Sequence, residues 1–220
     1  MKGHTLIFKN KPRLIASGTI AGPKECAGVV GKYVDKALCE DTFGEDTYEK
    51  AECKMLTYAV RKAIQNAGLT ERDIELLISG DLLNQIISAS FTARDFDFPF
   101  MGVYSACATM AESIALAATL VDGGCAKRVV AATGSHFSSA ERQYRYPLEL
   151  GNTRPPQAQW TVTGAGACVI ADTGGGNSSS SGVNTPVVTS ATFGRVVDYG
   201  ITDVNNMGAA MAPYVGIIGI

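Results

Sequence analysis

Cys107 is the residue of this chain best placed to do chemistry. It lies between an apolar stretch (Phe100, Met101, Val103, Tyr104) and an alanine-rich one running from Met110 to Val121, which Gly123-Gly124 ends. The first suits a buried strand and the second a helix. A thiol at such a junction faces the unpaired N–H groups and the positive dipole end of the helix. That setting favours thiolate and attracts anions. Two more strand ends can be read, Gly80-Asp81-Leu-Leu-Asn84 and Gly134-Ser-His136. In an open parallel sheet ligands gather at the carboxyl ends of the strands. One carboxylate, one amide, one thiol and one imidazole are therefore expected at one rim.

Each has a plainer role as well. Asp81 and Asn84 are good helix N-cap or turn residues, His136 suits an exposed loop, and free cysteines commonly pack in cores. The stretch Glu141 to Pro147 offers Arg142 and Arg145 as a carboxylate clamp, or a solvated helix face with its own Glu–Arg pairing. Other signatures fail. Gly164-Ala-Gly166 precedes a strand and lacks a third glycine, so it is no dinucleotide fingerprint, and neither a phosphate loop nor a Gly-x-Ser-x-Gly elbow occurs. There is no Cys-x-x-Cys, and the six cysteines match no zinc spacing. No metal site is expected.

The elements that must position these residues alternate. A glycine-rich, irregular start holds a short strand at Leu14–Ser17. Glu45 to Ala67 follows, with Met55, Leu56, Ala59, Val60, Ala63 and Ile64 at helical spacing and Gly68 as its stop. Then come a strand at Ile74–Ser79, a helix from Leu83 to Arg94, the Cys107 strand and helix, and a strand at Arg128–Thr133. Such alternation predicts a parallel sheet with right-handed crossovers. Two further strands, Ala165–Ala171 and Val187–Val197, flank a glycine/serine tract that reads as a hairpin loop.

Composition narrows the class. The chain has 220 residues, 46% hydrophobic, and can bury a core as one domain. A net charge of −2 with no basic stripe argues against nucleic acid as a partner. The first residues lack the apolar core of a signal peptide, and no apolar run reaches the ~18 residues of a membrane span. Reduced thiols in a cytoplasmic setting are the plain expectation.

Several motifs together resemble a known family. Gly22-Pro-Lys-Glu25, Gly80-Asp-Leu-Leu-Asn-Gln85, Ala106-Cys-Ala-Thr109, Ala140-Glu-Arg-Gln-Tyr-Arg-Tyr-Pro147 and Thr161-Val-Thr-Gly164 are similar to the stage V sporulation protein AD family. Gly194-Arg-Val-Val-Asp198, Gly200-Ile-Thr-Asp203 and Met207-Gly-Ala-Ala-Met-Ala-Pro213 continue the likeness. It runs in order over nearly the whole chain. The resemblance implies a thiolase-like α/β fold with two βαβαβαββ halves in α-β-α-β-α layers, usually dimeric. It implies a first half here, residues 1–213, with a mixed five-stranded sheet flanked by helices. Residues 214–220 read as a divergent tail and the second half as absent, as in a frameshift, a truncated gene or a natural fragment. The serine-rich stretch at 177–181 reads as an insertion.

In function, the resemblance implies binding of dipicolinic acid (pyridine-2,6-dicarboxylate), alone or with calcium. The role is uptake or release in the spores of endospore-forming bacteria, peripheral to the inner spore membrane, beside the membrane proteins of the same system. No cofactor is implied. Ligand contacts are expected from Asp81, Asn84, Cys107, His136 and Arg142, with Asp81 suited to a calcium ion or to orienting His136. The alternative is a thiolase or ketoacyl-synthase-like acyltransferase with Cys107 as nucleophile. Such chemistry needs a base beside the thiolate. In thiolase-like enzymes the histidines for that task come from the second half, and this chain has only His4 and His136. An inactive fragment is the third reading. A non-catalytic cysteine is expected.

Overall fold

A computed structural model describes residues 3–144, 160–172, 185–195 and 197–202, with the backbone alone for 142–144. Strands β1 (Thr5–Ile7) and β2 (Arg13–Ala21) come first, followed by the one-turn helix α1 (Pro23–Cys26) and the short β3 (Lys36–Ala37). Then come α2 (Tyr48–Asn66), β4 (Leu76–Asp81), α3 (Ile87–Arg94), β5 (Phe100–Gly102), α4 (Thr109–Asp122), β6 (Arg128–Ser135) and α5 (Phe137–Tyr144). β7 (Gly164–Ala171) and β8 (Ser190–Thr192) complete the set.

The main sheet is mixed, with strand order β3-β2-β7-β6-β4-β5. The sheet has six strands where five are expected, the additional one being the two-residue β3 at the edge. Only part is parallel. β5, β4 and β6 run together, as the alternation predicts, but β7 enters antiparallel between β6 and β2. The N-terminal strand is also longer than Leu14–Ser17, because its partner β7 carries the ladder from Arg13 to Ala21.

The expected hairpin of β7 with the next strand does not form. β8 leaves the main sheet and pairs antiparallel with β1, in a separate two-stranded sheet. The chain is steered there by Val187, which bridges Arg13, and by Leu14 N–H donating to the Pro186 carbonyl. The predicted buried strand around Met101 is an edge strand instead. With β4 as its one strand partner among the described residues, it leaves Met101 and Tyr104 exposed.

Local sequence explains α2. Thr47 Oγ1 accepts from the Lys50 N–H at 3.2 Å and opens the helix. Gly68, at φ +68°, closes it, and the Leu69 N–H reaches back to the Ile64 carbonyl at 3.1 Å. That is a Schellman ending, which needs a residue at ease with positive φ. Met55, Leu56, Ala59, Val60, Ala63 and Ile64 pack on one face of the sheet, with Leu77, Val130, Ala132, Ala167 and Val169. α4 covers the other face, with Ala117, Ala118 and Val121 against Ile78, Val129, Ala131, Cys168 and Ile170. Neighbouring strand residues alternate between the two cores, and that parity governs the site.

Candidate functional site

A cavity of about 490 Å³ opens on the α4 face of the sheet. Its lining includes Cys107, Met110 and Leu82, the strand residues Thr19, Thr133 and Gly166, and the segment Trp160–Val162. Thr19, Gly166 and Thr133 form one row across β2, β7 and β6. At Gly166 a side chain would meet nothing within 4 Å, so the middle of that floor is open space. Volume and mostly apolar lining suit a small organic ligand.

Cys107 is exposed in this cavity, in the 3₁₀ turn Ala106–Ala108 that leads into α4. Ala106, just before it, holds φ +46°, an unfavourable left-handed conformation for a side-chain-bearing residue. The turn is braced by Thr109, whose hydroxyl donates to the Ala106 carbonyl at 2.8 Å and accepts the Ser105 N–H at 3.2 Å. β4 approaches closely here: a side chain at Gly80 would run into the Val103 carbonyl and Thr109. The strand-to-helix junction at Cys107 is as the sequence predicts.

The other expected contacts do not join it. Asp81 is fully buried, and its carboxylate accepts the Leu83 and Ala89 N–H groups, both at 2.9 Å. It closes the 82–86 turn and opens α3, the capping role weighed for it from sequence. Burial pushes its carboxyl up, against the lowering by the backbone donors of Ala89, Leu83 and Ser88. It neither touches His136 nor belongs to a metal-binding group; among the described residues no cluster of three metal-ligating side chains occurs.

His136 is buried too, rather than in an exposed loop. Its Nδ1 accepts the Ser138 N–H at 3.1 Å, so the proton sits on Nε2, which donates to the Asp41 carbonyl at 3.2 Å. Tyr48 stacks on the ring at 4.7 Å and Phe137 at 5.0 Å. Burial lowers its pKa despite the Asp41 carbonyl and nearby carboxylates, which favours the neutral ring.

Parity explains both departures. On β4, Asp81 shares the face of Leu77 and Ser79, the α2 and α3 side, whereas Gly80 faces Thr109. On β6, the Val130–Ala132–Gly134 face continues to His136, and Gly134 looks onto Leu56 of α2. Cys107 opens the helix on the opposite face. Successive strand ends share a rim but not a side. Asn84 is exposed in the turn before α3 and is absent from the cavity lining. The Arg142 side chain and all of Arg145 lie outside the described residues.

Glu141, in a stretch that reads as a carboxylate clamp or as a solvated helix face, is buried and accepts the Thr161 N–H at 3.0 Å. It holds the cavity wall from one side, while Glu25 accepts the Thr163 N–H at 3.0 Å. Trp160, at the head of that wall, carries Lys24 over its ring at 3.7 Å. Neither Lys24 nor Trp160 was singled out by sequence, although both stand in or beside the motifs that did attract notice.

A second buried polar group lies behind the sheet. Ser139 donates to Glu52 Oε2 at 2.7 Å, and Glu52 Oε1, Ser79 Oγ and Ser88 Oγ are buried with no hydrogen-bond partner. Burial drives the Glu52 carboxyl up to about 8, with the nearby Asp81 charge adding to the rise.

Known proteins resemble the chain in sequence and in fold. Residues 2–217 match the model of the family described as stage V sporulation protein AD. The chain is 46% identical over 209 residues to stage V sporulation protein AD of Bacillus subtilis (strain 168), covering 95% of this chain and 59% of that protein. It thus spans under two thirds of that relative's length. An OleA variant from Xanthomonas campestris is similar in structure, with a TM-score of 0.51 and 16% identity over 76% of this chain and 59% of the other. A second OleA variant gives a TM-score of 0.50 and 17% identity, over 76% and 57%. At that identity the likeness shows the fold alone, which is thiolase-like, as the sequence motifs imply.

Proposed function

Because the chain belongs to the stage V sporulation protein AD family, we propose that it is a sporulation protein that binds dipicolinate. The observation that carries this reading is the cavity at Cys107. It is of small-ligand size, lined mostly by apolar groups together with Thr19, Thr133 and Thr161, and set against the N-terminal end of the 14-residue α4. A flat pyridine dicarboxylate needs an apolar slot for its ring and partial positive charge for its carboxylates. Cys107 lies at the meeting of the two and serves as a contact. Arg142 and, although it stands outside the cavity lining, Asn84 are proposed further contacts, in line with the family motifs that contain them.

The chain would act at the inner spore membrane, as a homodimer and beside the membrane proteins of the same uptake and release system. None of its described helices is long and apolar enough to cross a membrane, which fits a peripheral place there. Calorimetry with dipicolinate, with and without calcium, tests the reading. Saturable heat that disappears in Cys107→Phe, which puts a bulky ring where the ligand is proposed to sit, is the expected result. An absence of heat under every condition sinks it.

Acyl transfer is the second reading, favoured by the exposure of Cys107 in a thiolase-like fold. Against it, no histidine lines the cavity among the described residues, and His136 is committed behind the sheet. A thiolate without a nearby base or electrophile is a poor acyl-transfer catalyst. Incubation with an acyl-CoA followed by intact-mass measurement should leave Cys107 unmodified; a stable thioester there would restore the enzyme reading.

A further inference from the structure

Trp160 is the only tryptophan of the chain, it lines the cavity, and 48% of it is exposed. The segment that presents it is unusually well held for a stretch outside the strands. Thr161 and Thr163 give their N–H groups to the carboxylates of Glu141 and Glu25, each at 3.0 Å. Ser135 Oγ donates to the Val162 carbonyl at 2.6 Å, and the Phe137 N–H donates to Thr163 Oγ1 at 3.2 Å. The Gly22 N–H reaches the Thr163 carbonyl at 2.8 Å. Phe137 meets the indole at 5.4 Å with its ring tilted by 59°.

Lys24 is tied to the same frame. It belongs to α1, next to the Glu25 that anchors Thr163, and its ammonium lies 3.7 Å from the indole centroid. Lys24 forms no ion pair among the described residues, although its side chain is exposed. An unpaired cation parked against an aromatic ring at a cavity wall is suited to ligands that bring both an anion and a π-face. A rigid backbone clamp behind it removes the ordering cost such a contact otherwise carries.

We infer that Trp160, which lines the cavity, and Lys24, which stands outside the lining against the indole, together select aromatic carboxylates, Trp160 stacking on the ring and Lys24 meeting a carboxylate at the cavity edge. The inference rests on the dipicolinate reading above and names how the same cavity tells its ligand from others. An aliphatic dicarboxylate offers the charge without the π-face, and benzoate-like rings offer one carboxylate where dipicolinate has two. Selectivity should therefore come from the pair rather than from either residue alone.

The 220-residue chain is titrated with dipicolinate and with glutarate, followed by calorimetry and by the fluorescence of its single tryptophan. Dipicolinate is expected to quench Trp160 and to bind roughly tenfold more weakly in Lys24→Gln and in Trp160→Leu. Lys24→Arg should retain most of the affinity, and Trp160→Phe should fall between. Glutarate should bind weakly and be indifferent to Trp160→Leu. Thermal melting of each variant at the parent temperature ties a loss to the cavity; Lys24→Arg set against Lys24→Gln does so even where Trp160→Leu fails to fold. Dipicolinate affinity unchanged in Lys24→Gln and Trp160→Leu overturns this inference and leaves the dipicolinate reading standing. No binding by the unaltered chain overturns both.

Discussion

Ser139 donates its hydroxyl hydrogen to Glu52 at 2.7 Å, inside the core, and so ties α5 to α2. The acceptor carboxyl is fully buried, its other oxygen has no partner, and Asp81 lies near enough to raise it further. α5 in turn supplies Glu141, which holds the cavity wall at Thr161. Through α5, the Ser139–Glu52 contact in the rear core and the Glu141–Thr161 contact at the cavity are thus joined.

The first prediction concerns that carboxyl. Its ordinary value is 4.5 and burial takes it to about 8 in the folded chain. Between those values the unfolded chain has lost the proton and the folded chain keeps it. Stability contributed by the neutral group is full below 4.5 and drains as pH rises towards 8, with a limiting slope of about 1.4 kcal/mol per pH unit. Glu52→Gln keeps an oxygen for Ser139 and cannot ionise. Urea titrations should find it more stable than the parent at pH 8 and similar at pH 4.5. A variant less stable at pH 8 would show that the folded chain uses the charged form.

Asp81 should prove structural. Asp81→Asn puts an amide where backbone N–H groups need an acceptor, at Leu83 or Ala89. The expected cost is about 1–3 kcal/mol of folding stability. Hydrogen exchange should speed up at the Leu83 and Ala89 amides before it does at β6. Full retention of stability together with lost dipicolinate binding would return Asp81 to the site.

The order of strands and helices was legible in the sequence because apolar runs, Gly68 and Gly123-Gly124 mark them without help from tertiary contacts. Cys107 at the start of its helix was legible for the same reason. What could not be read was which side of the sheet each strand-end residue takes. Asp81 and His136 are separated from Cys107 by one step of the two-residue strand period, and a shift of one residue reverses the face. Nor do local patterns show that β7 lies antiparallel between β2 and β6, since pairing between segments so far apart is decided by the fit of whole faces. Trp160 and Lys24 were invisible because their meeting joins α1 to a segment more than a hundred residues on.

His136 is expected to matter for folding rather than for ligand. Its ring stacks on both Tyr48 and Phe137 and makes two hydrogen bonds. Removing it in His136→Ala should cost roughly 2–4 kcal/mol. Its pKa is lowered from 6.5 by burial, so the unfolded chain takes up a proton that the folded chain refuses. The stability it contributes is present above pH 6.5 and falls as pH drops towards the folded value. His136→Gln should flatten that acid limb in chemical denaturation measured from pH 7 to pH 5. An unchanged limb would place the titration elsewhere.

The six cysteines should separate cleanly by reactivity. Cys39, Cys107 and Cys125 are exposed, Cys26 and Cys53 are half-buried, and Cys168 is buried. Thiolate is the reacting form, so burial acts twice, by blocking access and by raising the pKa. It pushes the Cys168 thiol up to about 12 and raises that of Cys53 as well. A brief exposure of the native chain to iodoacetamide, followed by peptide mass mapping, should label Cys39, Cys107 and Cys125 first. Cys53 should follow slowly, and Cys168 only after denaturant is added. Dipicolinate added beforehand should protect Cys107 and leave Cys39 and Cys125 unchanged, because only Cys107 of the three lines the cavity. Labelling of native Cys168 at the rate of Cys39 would contradict the sheet core as described, and equal protection of all three exposed thiols would mean that the ligand acts away from the cavity.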